Sequence, residues 1–239
     1  MLVRILVLSL LTSVTLATEI EIAEPEQTGL SSDRLKRVTE LVQRYVETGR
    51  APGVQVMVNR GGKIVFNSVV GTRGLEDSRP LREDDIYRIY SMTKPITAVA
   101  AMQLYEQGKF RLSDPISTYI PELKDLKVLL NGELIRAEQP ITMHHLLTHT
   151  AGFSYGFDLR DPVDRQYREA KLWSSRDLDH FVAKLARLPL RHQPGTQWHY
   201  SVAVDVTGLA IERISGMPFD QYLQKHLFEP LDMVDTSFA

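Results

Sequence analysis

A serine and a lysine three positions apart, Ser91 and Lys94, are the residues of this sequence best suited to chemistry. A serine hydroxyl is a weak nucleophile until a nearby base takes its proton. A lysine can be that base if burial and neighbouring cations lower its pKa. The same spacing also fits a serine that caps a helix and a lysine that is solvated. The elements around the pair must therefore decide between the two interpretations.

The local sequence predicts that this pair lies at the start of a helix. Residues 85–90 indicate a half-buried, non-helical run, whereas apolar residues recur at helical spacing from Pro95 until Gly108. Proline suits a first helical turn, where its missing N–H is no loss. Ser91 is thus predicted near a helix N-terminus, with Lys94 one turn on and on the same side. Backbone N–H groups there can stabilise a developing oxyanion.

Two other patterns partly match functional motifs, but we do not expect either to be functional. His145 and His149 have the spacing of a zinc-binding pair, but Leu146 stands where H-E-x-x-H has its glutamate, so we interpret both as structural histidines. Residues 152–156 fit G-x-S-x-G around Ser154. A nucleophile elbow needs a strand before its serine and a helix directly after it, and neither is predicted here. Ser154 is therefore not expected to be a nucleophile, although a lipase-like enzyme is the alternative that it would support.

Composition excludes several classes of protein. The 239 residues are 43% hydrophobic and 24% charged, which is typical of a globular chain with a sizeable core. The formal net charge of -2 provides no basic surface for a nucleic-acid partner. The sequence has no cysteine, which excludes disulfides, thiolate chemistry and cysteine-bound zinc.

Residues 1–17 are predicted to be a cleaved signal peptide. Arg4 precedes an apolar run over residues 5–16, and Ala17 is a small residue suited to cleavage. The run is too short for a comfortable membrane span, and an uncleaved anchor is the alternative. We therefore expect a periplasmic or secreted protein, without a stable membrane span after cleavage, whose single domain covers residues 18–239.

The elements predicted around the pair indicate an α+β fold. An amphipathic helix is predicted over 31–48, followed by an antiparallel hairpin with strands at 54–58 and 64–70. Residues 131–139 are interpreted as a polar connection. Further helices are predicted over residues 95–108, 144–147, 174–188, 201–215 and 219–228.

Four phrases in this order make the chain similar to a known family: 87–94 (YRIYSMTK), 146–152 (LLTHTAG), 194–201 (PGTQWHYS) and 228–231 (FEPL). The chain resembles the class C β-lactamase-like serine hydrolases of the serine β-lactamase and penicillin-binding superfamily, which include family VIII carboxylesterases and D-amino peptidases. The resemblance implies a sheet domain beside an all-helical domain. Asp232 stands where the family usually has glycine.

The resemblance also assigns roles to three residues. It implies that Ser91 is the nucleophile, that Lys94 is the base that activates it, and that Tyr200 is the tyrosine of the Tyr-x-Asn motif. That phenol, kept acidic by nearby ammonium groups, shuttles a proton between serine and leaving group. An acyl-enzyme would form on Ser91 and water would release it, without a metal or organic cofactor. Without the Ser91 motif, Tyr200 would be interpreted as a core aromatic at a helix entry.

Two departures from the family pattern concern the substrate and the extent of the fold. Val202 replaces the motif asparagine, which argues against efficient cephalosporin turnover and favours an esterase acting on small carboxylic esters. A Lys-, His- or Trp-x-Gly motif does not follow Tyr200. We therefore expect a C-terminally incomplete fold, with the first helix and hairpin of the sheet domain and most of the helical domain.

Three functions remain open from the sequence. The first is an exported serine esterase. The second is a β-lactamase, a D-amino peptidase or a DD-peptidase, which would take β-lactam or amide substrates. The third is a truncated and inactive fragment.

Overall fold

The computed structural model describes residues 20–238, so the predicted signal peptide lies outside the described residues. The described chain forms two compact units, residues 20–88 and residues 89–238. Within these residues no helix combines the length and the apolarity needed to cross a bilayer. Helices and small antiparallel sheets occur together, so the predicted α+β class is confirmed.

The first unit consists of one helix and one hairpin. Its elements are α1 (Ser32–Glu47), β1 (Gly53–Arg60) and β2 (Lys63–Gly71), and the two strands pair antiparallel. The Ser31 side chain caps α1 by accepting a hydrogen bond from the backbone N–H of Arg34. The helix and the hairpin predicted from the sequence are therefore both confirmed.

The second unit is mainly helical. Its elements are α2 (Thr93–Glu106), β3 (Lys127–Leu130), β4 (Glu133–Arg136), α3 (Met143–Leu147), α4 (Pro162–Glu169), α5 (Leu178–Leu185), α6 (Ala203–Ser215) and α7 (Phe219–Leu223). A π-helical turn, Gln224–Phe228, continues α7. The helix predicted over 219–228 is thus present, but it changes from α-helical to π-helical after Leu223.

The central helix of this unit is α6. Most of its residues are buried, which is typical of a helix that runs through a core. It packs against α2, α3, α5 and α7. Ser91 lies two residues before α2, and Tyr200 lies three residues before α6. The packing of α2 on α6 therefore sets the distance between these two side chains.

The polar segment over residues 131–139 contains a strand that was not predicted. Strands β3 and β4 pair through a two-residue turn, Asn131 and Gly132, whose φ angles are 51° and 86°. Asn-Gly favours this turn because both residues adopt positive φ at little cost. The dipeptide stands between two apolar runs, so the hairpin was visible in the sequence.

Two helices begin at positions that were not predicted. Helix α4 was missed although Pro162 occupies its first turn and the Asp161 side chain caps it. The helix predicted from residue 174 begins instead at Leu178, because Asp177 rather than an upstream serine caps it and accepts from the N–H of His180.

Candidate active site

Ser91 and Lys94 meet at the start of α2. Ser91 lies in a 3-10 turn, Tyr90–Met92, that leads directly into the helix, and it is exposed. The Lys94 Nζ donates a hydrogen bond to the Ser91 Oγ at 3.3 Å. Tyr90 has a φ of 42°, which is rare for a bulky side chain. Strained residues of this kind cluster at functional sites, where the surrounding structure holds them.

Tyr200 completes a group of three polar side chains. Its hydroxyl lies 2.5 Å from the Ser91 Oγ, and either oxygen can donate the hydrogen bond. The Lys94 Nζ lies 4.7 Å from the centre of the Tyr200 ring. The structure therefore brings together all three residues to which the resemblance gave catalytic roles.

The charges of this group favour a proton on the lysine. Burial lowers the pKa of Lys94, but its hydrogen bond with Tyr200 and negative charge on nearby oxygens outweigh that effect and raise the pKa overall. Burial raises the pKa of Tyr200, but its hydrogen bonds with Lys94 and Ser91 outweigh that effect and lower the pKa overall. The condition stated above for a lysine base, a lowered pKa, is thus not met, and the phenol is the better proton acceptor.

A cavity of about 600 Å³ opens beside Ser91 and Lys94. Its walls include Asp205 on α6 together with the apolar side chains of Leu178 and Phe219. Burial raises the pKa of Asp205 to about 6, although the charge of Lys94 opposes this. A cavity of this size with a few polar groups is typical of a small-molecule site.

An aromatic stack adjoins the group formed by Ser91, Lys94 and Tyr200. The Tyr155 ring lies parallel to the Tyr200 ring, with centroids 5.4 Å apart and an interplanar angle of 9°. Phe157 stacks on Tyr155 at 4.7 Å, and Trp173 stacks on it at 5.3 Å. Phe157 and Trp173 are 66% and 60% exposed. No pattern in the sequence indicates this aromatic stack, since it depends on contacts between distant segments.

Ser154, the serine of the G-x-S-x-G pattern, lies in the core. It is fully buried, and its hydroxyl donates to the Asp164 carboxylate and lies 3.3 Å from His199 Nε2. No strand of the described chain ends immediately before it. A buried hydroxyl that has two hydrogen-bond partners and lies away from the cavity is not placed to attack a substrate.

The two histidines with zinc-like spacing have separate partners. The His145 Nδ1 accepts a hydrogen bond from the Thr142 N–H and so completes the N-terminal cap of α3. The His149 ring instead packs against Tyr200, with centroids 4.9 Å apart. Among residues 20–238 no group of three or more His, Asp and Glu side chains is arranged to hold a metal ion.

Comparison with known proteins gives a consistent result. The family described as Beta-lactamase matches residues 38–239. Protein Rv1367c of Mycobacterium tuberculosis is 37% identical over 82% of this chain and 50% of its own length. The esterase EstB of Burkholderia gladioli is 32% identical over 85% of this chain and 51% of its own length.

Solved structures show the same relationship. EstCE1, described as a hydrolase with promiscuous acyltransferase activity, superposes with a TM-score of 0.72 at 30% identity, over 83% of this chain and 51% of its own. The chain spans about half the length of the curated relatives that it matches. The resemblance carried by the four phrases is confirmed, and the chain belongs to the Beta-lactamase family.

Proposed function

We propose that this chain carries the catalytic serine, lysine and tyrosine of an exported serine hydrolase that cleaves small carboxylic esters through an acyl-enzyme on Ser91. The observation that carries the proposal is the contact of the Ser91 Oγ with both the Tyr200 hydroxyl and the Lys94 ammonium. Export rests on the signal-peptide pattern of residues 1–17.

The charges on Lys94 and Tyr200 support the following order of proton transfers. The Tyr200 phenolate takes the Ser91 proton while the Ser91 Oγ forms a bond to the ester carbonyl carbon. The backbone N–H of Ser91 is suited to stabilise the oxyanion. Tyr200 then gives the proton to the departing alkoxide, and the acyl-enzyme remains. A water molecule then attacks the acyl carbon while Tyr200 takes its proton. Tyr200 passes that proton to the departing Ser91 Oγ, and the carboxylic acid and free Ser91 are released. The Lys94 ammonium stabilises the phenolate throughout.

Two observations favour esters over β-lactams. Val202, which occupies the asparagine position of the family motif, has an apolar and fully buried side chain, so this position offers no side-chain amide to a β-lactam. The half-buried Tyr155 lines the cavity beside Ser91, and the exposed rings of Phe157 and Trp173 stack on Tyr155, so the site offers apolar area to a substrate. The names of EstB and EstCE1, an esterase and a hydrolase, support the same class.

The proposal is tested by covalent labelling with a fluorophosphonate and intact-mass detection. We expect one adduct on the wild-type protein and none on Ser91→Ala, because only an activated serine reacts. Ser154→Ala is the matched control and should be labelled like the wild type. Equal labelling of Ser91→Ala would contradict the assignment of the nucleophile, and an unlabelled wild-type protein would indicate an inactive chain.

A substrate panel then separates the remaining alternatives. We expect p-nitrophenyl esters to be hydrolysed with a kcat/KM at least tenfold above that for a chromogenic cephalosporin or a D-amino-acid amide. A higher kcat/KM for p-nitrophenyl butyrate than for p-nitrophenyl acetate would further support binding of the acyl chain on the apolar surface. Faster turnover of the cephalosporin or of the amide would overturn the ester assignment.

A further inference from the structure

We propose that His149 is a positioning residue that holds Tyr200 in its catalytic place by binding the residues on both sides of it. The inference rests on the proposed function, since Tyr200 is its proton carrier. The His149 carbonyl accepts a hydrogen bond from the His199 N–H at 2.9 Å. The His149 Nδ1 accepts one from the Ser201 N–H at 3.3 Å. We call these two bonds the His149 clamp.

The ring of the same histidine also contacts the tyrosine that the clamp encloses. The imidazole and the Tyr200 ring have centroids 4.9 Å apart and planes inclined by 37°. Trp198 approaches the imidazole edge-on at 6.2 Å. One residue therefore restrains the backbone before Tyr200, the backbone after it and the Tyr200 ring itself. Small displacements matter here because a shift of about 1 Å in a reacting group can cost roughly 10²-fold in rate.

The backbone of His149 is strained in a way that suits this role. Its φ is 55°, in the left-handed region that side chains other than glycine rarely adopt. Histidine, asparagine and aspartate are the side chains that occupy this region most readily. Tyr90, which precedes Ser91, is likewise strained. Such conformations persist only where surrounding contacts hold them, and both lie against catalytic side chains.

The clamp requires a neutral imidazole. Nδ1 can accept from the Ser201 N–H only while it carries no proton, so the ring proton must be on Nε2. Burial, the charge of Lys94 and the charge of His199 lower the pKa of His149. The groups that face the ring are Lys94 from α2, and His199 and Tyr200 from the segment before α6. Acid pH should protonate Nδ1 and break the Ser201 bond.

The test compares two substitutions with opposite expectations. His149→Asn retains a short acceptor and tolerates positive φ, so it should keep the labelling rate within about tenfold of the wild type. His149→Leu removes the acceptor and should lower kcat by roughly 10²-fold with little change in KM. The matched control is His144→Asn, at an exposed histidine of α3, which should label like the wild type.

The pH dependence of labelling distinguishes positioning from a general structural role. The wild-type rate should fall with decreasing pH as Tyr200 takes up a proton, and more steeply below the pKa of His149. His149→Asn should show only the shallower fall, because asparagine does not titrate. Equal rates and identical pH profiles for His149→Asn and His149→Leu would overturn the proposal.

Amide hydrogen exchange tests the clamp without activity or the leucine variant. The Ser201 N–H should be protected in the wild type at neutral pH and lose protection in acid, whereas His149→Asn should keep it at both pH values. A Ser201 N–H that remains protected in the acid wild type would contradict the clamp. If the wild type is never labelled, the proposed function fails and the catalytic role of the clamp fails with it, whereas the exchange pattern still shows separately whether His149 holds the Ser201 N–H.

Discussion

Two side chains determine where the proton of Ser91 goes. The pKa of Lys94 is raised and that of Tyr200 is lowered, so the pair favours ammonium and phenolate. A phenolate can act as a base near neutral pH only while the ammonium stabilises it. In the proposed mechanism Lys94 therefore contributes its charge, and Tyr200 carries the proton.

Removing the charge of Lys94 should move the working pH of the site. In Lys94→Met the pKa of Tyr200 should rise, because the cation that favours the phenolate is lost. The midpoint of the fluorophosphonate labelling profile should shift to higher pH by the same amount, and tyrosinate absorbance provides a second measurement. Lys94→Arg keeps a cation and should shift less. An unchanged midpoint in Lys94→Met would show that the lysine does not set the Tyr200 ionisation.

The residue types of the site could be predicted from the sequence, but their protonation could not. Ser91 and Lys94 were found by spacing, and Tyr200 by resemblance. The pKa values depend on burial and on oxygen atoms from distant segments, which spacing does not contain. Tyr155 and Trp173 were missed for the same reason, because their stacking is visible only in three dimensions.

At the scale of elements, a buried carboxylate ties α4 to the segment that carries Tyr200. Asp164 is 2% exposed. Its Oδ1 accepts from the Arg191 Nη1 at 3.1 Å, and its Oδ2 accepts from the Asp158 N–H at 2.8 Å. Burial raises the pKa of this carboxyl, but its hydrogen bonds and the Arg191 charge outweigh burial and lower it overall.

Replacing this carboxylate should loosen the segment before α6. Asp164→Asn should lower the free energy of unfolding by roughly 3 kcal/mol, because it removes the buried carboxylate from Arg191, which then keeps only the more exposed Asp161 as a charge partner. Urea denaturation measures the change. The difference should be full above about pH 4 and shrink as acid protonates the wild-type carboxylate, whose folded pKa is lowered.

The control for this substitution is at Asp161, a second carboxylate that contacts the same arginine. Asp161 also pairs with Arg191, at 3.2 Å, but it is more exposed. Asp161→Asn keeps a good helix cap and should cost less than about 1 kcal/mol. An Asp164→Asn protein with the urea midpoint of the wild type would show that this ion pair does not stabilise the fold.

Element boundaries were less predictable than element types. Helix α1 and the first hairpin follow from clear periodicity and turn residues, and both were predicted. The start of α5 was misplaced because Ser174, Ser175 and Asp177 are all good caps, and local sequence does not choose among them. The β3–β4 hairpin was missed although its Asn-Gly turn was a sufficient local signal.

At the scale of the molecule, the two units have very different cores. The large cluster of buried hydrophobic side chains lies entirely within residues 89–238. In residues 20–88 the buried hydrophobic core is Val42 and Val65. A two-stranded sheet with so small a core is marginal by itself.

The second unit should therefore fold alone and the first should not. We expect residues 89–238, expressed separately, to unfold in one cooperative transition in urea, followed by circular dichroism. Residues 20–88 should show no such transition. A cooperative transition in residues 20–88, or its absence in residues 89–238, would contradict the inference from core size.

The fold class and the family were predictable because four short motifs of the family occur in the expected order across most of the chain. The prediction that residues 18–239 form one domain stays a prediction, as does the cleavage of residues 1–17. How far each unit can stand alone could not be predicted, because it depends on which apolar residues share one core.

The aromatic surroundings of the site have a practical consequence for spectroscopy. The sequence contains two tryptophans, Trp173 and Trp198. Trp173 stacks on Tyr155, Trp198 lies 6.4 Å from the Tyr200 ring, and the two indoles are 60% and 67% exposed. All tryptophan emission of this chain thus originates from indoles that adjoin the Tyr155 and Tyr200 rings of the candidate site. A bound ester or a covalent acyl group that covers either indole would change the wavelength of its fluorescence or its quenching by iodide. Tryptophan fluorescence of the unlabelled protein can therefore show whether the site is occupied.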